Sequence, residues 1–290
     1  MQIRQAERKK AKIRLGLQGP SGSGKTYSAL LMAYGMTNDW NKIVLIDTEN
    51  GSADLYAHLG NFRVLNLGIP FLPERYIEAI QTCEKLPDVE VIVIDSISHE
   101  WEGSGGILDI HGNMTGNSFT NWGKVTPRHN AFIQKILQSR CHIIATIRSK
   151  QDYVLSEKNG KYVPEKVGLK GVTREGVDYE LTLVLELDLK HNAVATKDRT
   201  GLFMGKPDFV VTPNTGKRIL EWCNLGVTNT PKNLDAIKAE IESAEDVETL
   251  RDILRKYPEH RTEIEPHCIA RKNAMYIKQS IPQPINQTEG

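Results

Sequence analysis

Residues 13–26 read IRLGLQGPSGSGKT, an apolar run that leads into a loop of glycine, serine and proline. The end of this stretch matches the pattern G-x-x-x-x-G-K-[ST], placed after a predicted strand and before a helix predicted over 25–35. Glycines let backbone N–H groups turn toward phosphate oxygens, and the following helix adds the positive end of its dipole. The stretch therefore predicts a phosphate-binding loop at the end of the first strand.

The side chains of this loop have distinct expected roles. Lys25 is expected to reach the β- and γ-phosphates, and the Thr26 hydroxyl to bind Mg²⁺. The predicted nucleotide-binding residues are Gly19, Pro20, Ser21, Gly22, Ser23, Gly24, Lys25, Thr26 and Tyr27. The alternative is a Gly/Ser turn with an incidental lysine. No N-K-x-D string, which would read guanine, occurs in the sequence, so ATP is the expected nucleotide.

Short apolar runs and amphipathic stretches alternate on both sides of the loop. The runs cover 13–18, 42–48, 62–67, 89–96, 141–148, 179–189 and 192–198. Further helices are predicted over 74–86 and 127–139, the second opening on the N-cap Thr126 and on Pro127. Near-continuous Val/Ile/Leu strands separated by helices are typical of an α/β fold with a mostly parallel central sheet. The last two runs predict a β-hairpin at its end.

The remaining stretches divide the chain. Residues 102–126 and 150–176 lack strong periodicity and are predicted to be long loops, either functional or mobile. After about Gly226 the composition shifts, and two capped helices indicate a small appendage. The predicted divisions are a basic N-terminal segment over 1–11, a core over 12–227, a helical appendage over 228–280 and a disordered tail over 281–290.

Acidic residues end two of the predicted strands. VIVIDS at 91–96 places Asp95 where a carboxylate holds the magnesium shell together with Thr26; the alternative is an Asp that caps the next helix. KIVLIDTENGS at 42–52 places Glu49 at the carboxyl edge of the sheet, where it can orient and deprotonate a water. The alternatives are that Asp47 or Glu49 caps or pairs with a loop, or that His99 or Glu100 is the base.

These motifs resemble the RecA family, and in detail the short RecA-like AAA-family ATPases of phages that are linked to single-strand annealing and recombination. The resemblance rests on GPSGSGKT, IDTENGSADLY, VIVIDS and KDRTG, and covers about residues 12–225. It implies a RecA-like P-loop NTPase core that binds and hydrolyses ATP with Mg²⁺. It also implies that Glu49 is the catalytic base and that Asp95 is linked to the magnesium.

The KDRTG motif carries two cations. Lys197 and Arg199 are two residues apart on a strand, so their side chains project to the same side. The resemblance implies that both reach the ATP of a neighbouring subunit and stabilise charge on its γ-phosphate, which requires a homo-oligomer, either a ring or a filament. The alternative is a solvated charge cluster on a hairpin.

The family keeps a polar γ-phosphate sensor at the end of the strand read as IIATIRSKQD, residues 143–152. Thr146, Arg148 and Gln151 are the candidates there, and Arg148 is favoured. The residue type departs from the family's common glutamine.

The resemblance also places two DNA-binding loops at 102–126 and 150–176. From Arg148 to Glu175 there are seven Lys/Arg against four acids, with tyrosines between them, which suits a groove for single-stranded DNA. A plain mobile loop, or one that contacts a protein, is the alternative. The candidate DNA-binding residues are Trp122, Lys124, Arg128, Lys150, Tyr153, Lys158, Lys161, Tyr162, Lys166, Lys170 and Arg174. The basic N-terminal segment could extend the DNA path or mediate subunit contacts.

Composition restricts the remaining possibilities. A hydrophobic content of 39%, a charged content of 25% and a net charge of +1 describe an ordinary globular protein. The four cysteines form no CxxC pair, so reduced, mostly buried thiols are expected. No signal peptide or membrane span is indicated, and the cytoplasm of a bacterium or of a phage-infected host is the expected location.

Three functions remain open. The first is an ATPase that assembles on single-stranded DNA and assists annealing or recombination, with an annealing or single-strand-binding protein as a possible partner. The second is a nucleotide-dependent ATPase that binds a protein partner, such as a helicase loader. The third is a P-loop small-molecule kinase, against which stands the lack of a clear arginine-rich lid.

Overall fold

A mixed sheet lies at the centre of the computed structural model, which describes residues 11–158, 161–225 and 234–279, without the side chains of 151–168, 259 and 277–279. The described strands are β1 (Arg14–Gly19), β2 (Ile43–Asp47), β3 (Arg63–Asn66), β4 (Val91–Asp95), β5 (His142–Lys158), β6 (Lys161–Gly171), β7 (Leu183–Leu187), β8 (Asn192–Asp198) and β9 (Phe209–Val210). Their order is β3-β2-β4-β5-β1-β7-β8-β9, and β6 pairs with β5 off this path.

Most strand pairs in this sheet are parallel. β1 is parallel to both of its neighbours, β5 and β7. β2 is parallel to β3 and β4, and β4 is parallel to β5. β7, β8 and β9 pair in the antiparallel sense at one end. The predicted α/β class with a mostly parallel sheet and a hairpin end is confirmed. Because the carboxyl ends of parallel strands meet at one edge, the ends of β2, β4, β5 and β1 follow one another there in this order.

Helices cover both faces of the sheet. They are α1 (Lys25–Thr37), α2 (Pro73–Lys85), α3 (Ser98–Glu102), α4 (Ile107–Gly112), α5 (Ser118–Gln138), α6 (Val177–Glu180) and α7 (Pro213–Asn224). Alternate residues of β4 enter different cores: Val91 and Val93 pack with α1, whereas Ile92 and Ile94 pack with α2 and α5. Both faces of the strand are buried, which is why its sequence reads as a continuous apolar run.

Two glycines allow α1 and α7 to touch backbone to backbone. A Cβ atom on Gly35 would lie 1.8 Å from the Pro213 carbonyl oxygen, and one on Gly216 would lie 2.0 Å from the Met32 carbonyl oxygen. Neither position can accept a side chain without moving a helix. This close contact fixes the position of α1, the helix that follows the phosphate loop.

The amino edge of the sheet contains a sealed polar cluster. Arg14 is 6% exposed, and its guanidinium donates to the carbonyls of Ile13, Leu137, Ser139 and Cys141. His142 is buried beside it, and its Nδ1 accepts a hydrogen bond of 3.1 Å from the backbone N–H of Ile13. These contacts join the end of α5 to the start of β1 and β5.

Both stretches predicted to be long loops have regular structure instead. Residues 102–126 contain α4 and the first part of α5, and 150–176 is largely a β-hairpin formed by β5 and β6. The helix predicted to open at Pro127 begins at Ser118, so the proline lies inside it. Burial of Asn121 and Val125 against the core stabilises the turns before the proline and offsets the lost hydrogen bond.

The chain divides into two compact units, of which the larger spans Lys10–Gly226. In the other, α8 (Leu234–Ser243), α9 (Val247–Lys256) and α10 (Arg261–Gln279) share an apolar core. The first two are the predicted helices and the third adds to them. The predicted segment over 1–11 lies almost wholly outside the described residues, and the tail over 281–290 entirely outside them.

All four cysteines are free and buried, as expected for reduced thiols. None of the helices in the described parts of the chain has the length and apolar character that crossing a bilayer requires.

Candidate nucleotide site

The phosphate loop turns on two glycines between β1 and α1. Gly22 and Gly24 both have a φ of +81°, a conformation that residues with a side chain rarely adopt. A Cβ atom on Gly24 would lie 3.0 Å from Nδ1 of His191, so this turn also has little room beside it. The backbone geometry therefore requires glycine at positions 22 and 24.

Lys25 points back into its own loop. Its Nζ donates to the carbonyl of Gly19 at 2.9 Å and to that of Pro20 at 2.8 Å. Burial lowers the pKa of Lys25 below its ordinary value, although the nearby carboxylates of Asp95 and Glu49 oppose this effect. The ammonium group is thus already at the mouth of the loop, held by carbonyl groups that phosphate oxygens can replace as partners.

Asp95 ends β4 and faces the start of α1. The Thr26 hydroxyl donates to Asp95 Oδ2 at 2.6 Å, and the Thr146 hydroxyl donates to Oδ1. Burial raises the pKa of Asp95, against the effect of the two hydroxyl donors. Asp95 therefore meets the side chain with which it is predicted to hold magnesium, rather than capping a helix.

The donor set fits Mg²⁺ bound together with a nucleotide. This ion usually takes one or two carboxylates from the protein and completes its shell with phosphates and water. Thr26 and Asp95 supply a hydroxyl and a carboxylate at hydrogen-bonding distance from each other. Within the described residues there is no group of three or more His, Cys, Asp or Glu side chains that could hold a metal ion.

Asp47 and Glu49 have different surroundings although they are two residues apart. Asp47 is 2% exposed and accepts hydrogen bonds from the backbone N–H groups of Glu49 at 2.6 Å and Ala53 at 3.0 Å. It turns the chain after β2. Glu49 instead lines the cavity beside the phosphate loop.

The Glu49 carboxylate has two side-chain partners. Arg148 Nε donates to Oε1 at 3.0 Å and Arg148 Nη2 forms an ion pair with Oε2, while the Ser96 hydroxyl donates to Oε1 at 3.2 Å. Burial pushes the pKa of Glu49 upward, but the hydrogen bonds and charge of Arg148 outweigh it, so the pKa lies below its ordinary value. Glu49 is ionised at neutral pH, as a general base must be.

The alternative bases have other partners. Glu100 is fully buried and lies 3.0 Å from His129 Nδ1, in the contact between α3 and α5. His99 Nδ1 lies 2.8 Å from the Thr48 hydroxyl, and its ring stacks on Phe71. Neither residue lines the cavity that contains the phosphate loop.

A cavity of about 1010 Å³ joins these groups, large enough for a nucleotide. Its walls include Lys25, Thr26, Glu49, Asp95 and Arg148. The chain thus brings the predicted phosphate loop, magnesium residues, base and sensor candidate into one space.

Some residues of the cavity were not predicted. Tyr56 lies beside Tyr27 with ring centroids 6.2 Å apart, and His191 reaches the phosphate loop from the turn between β7 and β8. Tyr56 stands in the same motif as Glu49, so its position could have been suspected. No sequence signal marks His191, because only the pairing of β1 with β7 places its turn next to the loop.

A comparison with protein-family models matches an AAA domain over residues 11–221, most of the chain. The chain belongs to this AAA-domain family. Membership of this family identifies the protein as a P-loop ATPase. AAA domains in general use ATP and Mg²⁺. A search of curated proteins finds no significant match.

The two cations of the KDRTG motif lie outside the nucleotide cavity of the AAA domain. Lys197 Nζ donates to the carbonyl of Asp178 at 2.7 Å and to that of Tyr179, and Arg199 Nη2 donates to the Tyr179 carbonyl at 2.9 Å. Both therefore lie together at the end of α6, as their spacing predicts. Asp198, between them, accepts hydrogen bonds from four backbone N–H groups of residues 200–204 and shapes the following loop.

The candidate DNA residues are spread over several surfaces of the AAA domain. Trp122 stacks between Trp101 and His111, with ring centroids at 5.9 and 4.1 Å. Lys124 is exposed on α5, whereas Arg128 is paired with Glu74 at 2.7 Å.

The hairpin candidates differ as well. Lys150 lines the nucleotide cavity, Lys170 lies 3.7 Å from Glu175, and Nη1 of Arg174 is buried without a hydrogen-bond partner. The side chains of Tyr153, Lys158, Lys161, Tyr162 and Lys166 lie outside the described residues.

Proposed function

We propose that this ATPase binds single-stranded DNA and assists recombination or single-strand annealing, with ATP held between subunits. The proposal that the protein hydrolyses ATP rests on the position of Glu49. This carboxylate lines the same cavity as Lys25 and Asp95, and no carboxylate follows Asp95 directly in the sequence.

Four polar side chains of the cavity have a role in this reaction. Lys25 and the backbone N–H groups of the loop bind the phosphates, and Thr26 and Asp95 hold Mg²⁺, which neutralises phosphate charge when bound. Glu49 orients a water and accepts its proton. A pKa below the ordinary value, caused by Arg148, keeps Glu49 ionised, although it also makes the carboxylate a weaker proton acceptor while the two are paired.

The position of Lys197 and Arg199 supports a role across a subunit interface. Both lie outside the cavity of their own chain, and their present partners are carbonyl oxygens that do not neutralise their charge. Cations held in this way keep their attraction for an anion from a neighbouring chain. We therefore propose a homo-oligomer in which they face the next subunit's ATP.

The proposed DNA path uses the hairpin and the helices after β4. The stem of the β5–β6 hairpin begins at the cavity wall with Arg148 and Lys150. Trp101 and His111 cover both faces of Trp122, whereas Phe119 on the same helix is 86% exposed and offers a flat surface on which a base can stack. A DNA strand bound along these elements would contact the nucleotide site directly. The expected protein partner in the same process is an annealing protein or a single-strand-binding protein.

ATP hydrolysis measured with and without single-stranded DNA tests this function. We expect DNA to increase turnover, and Glu49→Gln and Lys197→Ala each to lower stimulated turnover by about 100-fold or more. Lys217→Ala, a change of an exposed lysine on α7, is the matched control and should leave turnover unchanged.

Mixing the two inactive variants tests the oligomer. Glu49→Gln subunits retain Lys197, and Lys197→Ala subunits retain Glu49, so part of the activity should return in the mixture if the cations act across an interface. No recovery would reject the action in trans. Turnover that ignores DNA but responds to a protein would instead favour the partner-binding ATPase.

A further inference from the structure

The turn between β7 and β8 brings an imidazole to the phosphate loop. His191 has a φ of +67°, a backbone conformation that residues with a side chain rarely adopt and that glycine adopts freely. An imidazole therefore occupies a position at which the backbone by itself favours glycine. A side chain kept in such a conformation suggests that the side chain has a function.

The carboxylate of Asp188 fixes this turn. Its Oδ1 accepts hydrogen bonds of 2.8 Å from the backbone N–H groups of Lys190 and Asn192, and the His191 N–H donates to the Asp188 carbonyl at 3.1 Å. Backbone hydrogen bonds, above all that from Asn192, hold the pKa of Asp188 below its ordinary value, so the carboxylate is ionised at neutral pH. The imidazole is thus presented by a turn whose backbone is held in place.

The imidazole lies against the phosphate loop at Gly24. A Cβ atom on Gly24 would be 3.0 Å from Nδ1 of His191 and 3.6 Å from its Cε1. His191 also lines the cavity of about 1010 Å³. Among the residues that the structure describes, no group forms a hydrogen bond with either nitrogen of this exposed ring, so its N–H is available to a ligand.

His191 enters the cavity from the side opposite to Glu49. In the sheet, β7 lies on one side of β1, whereas β4 and β2, which end at Asp95 and lead to Glu49, lie beyond β5 on the other side. In a phosphate loop the backbone N–H groups bind the α- and β-phosphates, and the lysine reaches the β- and γ-phosphates. A ring beside Gly24 and away from Glu49 therefore faces the α- and β-phosphates.

We propose that His191 is a nucleotide-binding residue that donates from the β7–β8 turn to the α,β-diphosphate of the bound nucleotide. Its ligand is the group that ATP and ADP share. The inference deepens the proposed function, because it rests on nucleotide binding in this cavity, but it does not depend on Glu49, on DNA or on subunit contacts. A contact with phosphates that are not transferred contributes to affinity more than to the rate of the chemical step.

Calorimetric titration of the full chain with Mg²⁺ and either ADP or a non-hydrolysable ATP analogue tests the contact. His191→Gly removes the imidazole and keeps the backbone conformation. We expect it to raise both Kd values about tenfold, the loss of one hydrogen bond to a charged group, and to change kcat at saturating ATP by less than about twofold. His191→Asn, which tolerates the same φ and keeps an N–H donor, should lose less affinity.

Leu189→Gly is the matched control. Leu189 is a 67% exposed residue of the same turn and is not among the residues that line the cavity. Its replacement by glycine loosens the turn without removing the imidazole, and both Kd values should stay within about twofold of those of the wild-type chain.

Wild-type Kd values in His191→Gly would overturn the proposal and leave His191 as a solvated residue of the turn. A loss confined to the ATP analogue would overturn it by placing the contact at the γ-phosphate. An equal loss in Leu189→Gly would attribute the effect to the turn and reject the contact.

The proposed function can fail separately. If the Kd values change as expected while DNA does not stimulate turnover, the role in recombination is rejected and the role of His191 stands. A wild-type chain that binds no ADP would reject the nucleotide site itself, and both proposals with it.

Discussion

The two edges of one sheet use buried charge in opposite ways. At the amino edge, Arg14 donates to four backbone carbonyls and His142 accepts from a backbone N–H. At the carboxyl edge, Thr26, Glu49 and Asp95 are bonded mostly to other side chains.

Because of this difference, we expect the amino edge to contribute to the stability of the fold and the carboxyl edge to contribute to the reaction. Backbone partners are fixed by the strands and helices, so the polar groups at the amino edge have no alternative partners and strengthen the fold. Side-chain partners can rotate away, so the groups at the carboxyl edge can exchange one another for phosphate, magnesium or water. A substitution at one edge should therefore change stability, and at the other, activity.

The largest expected effect is at the carboxyl edge. Lys25→Met removes the cation that meets the phosphates, and we expect ATP turnover to fall about 1,000-fold. Lys25 differs from its neighbours at this edge because its partners are backbone carbonyls, but these border an open cavity where water can replace the ammonium group. The free energy of unfolding should therefore change by less than about 1 kcal/mol. Turnover and urea unfolding measured on the same preparation check both. A large loss of stability would contradict the expectation that substitutions at the carboxyl edge change activity and leave stability unchanged.

The corresponding change at the amino edge is Arg14→Met. Burial lowers the pKa of Arg14 to about 10, so it is still charged at neutral pH and its loss leaves buried carbonyls without a donor. We expect a loss of about 3 kcal/mol in the free energy of unfolding. Lys12→Met, which removes an exposed cation two residues earlier, is the control for urea unfolding. Lower turnover per folded molecule with unchanged stability would contradict the prediction.

The smallest expected effect is a pH dependence at His142. Burial, with the nearby charges of Lys12 and Arg14, lowers the pKa of His142 to about 3, so the imidazole stays neutral in the folded chain. The unfolded chain takes up a proton below its ordinary pKa of about 6.5, so stability falls as pH drops from there toward 3.

Between pH 6.5 and 5 this loss should amount to about 1–2 kcal/mol. In His142→Gln that part of the slope should disappear, which urea unfolding at a series of pH values measures. A variant with the same slope as the wild-type chain would show that His142 is not a source of acid sensitivity.

The site residues that could be predicted from the sequence are those whose identity is required by their immediate neighbours in the chain. Glycines that need a positive φ, a lysine after them and acids that end apolar strands are recognisable because each requirement acts within a few neighbouring residues. Gly24, Lys25 and Asp95 all lie in the cavity for this reason. The motif containing Asp47 and Glu49 left open whether either acid only caps a loop, and the fold decides this, since Asp47 accepts hydrogen bonds from the turn after β2 and Glu49 lines the cavity.

The errors arose where long-range packing outweighed local signals. Pro127 reads as a helix start, yet α5 continues through it because Asn121 and Val125 are buried earlier in the same helix. Residues 150–171 read as a loop because their polar composition hides the pairing of β5 with β6.

Sequence alone predicted the phosphate loop, the approach of Thr26 to Asp95 and most of the strands and helices along the chain, because short-range sterics and apolar periodicity specify those features. Tertiary structure alone decided that Arg148 meets Glu49, that His191 reaches Gly24, and that Lys197 and Arg199 lie away from their own cavity. These contacts join residues far apart in the chain, and they depend on strand order, which sets distances that no local pattern encodes.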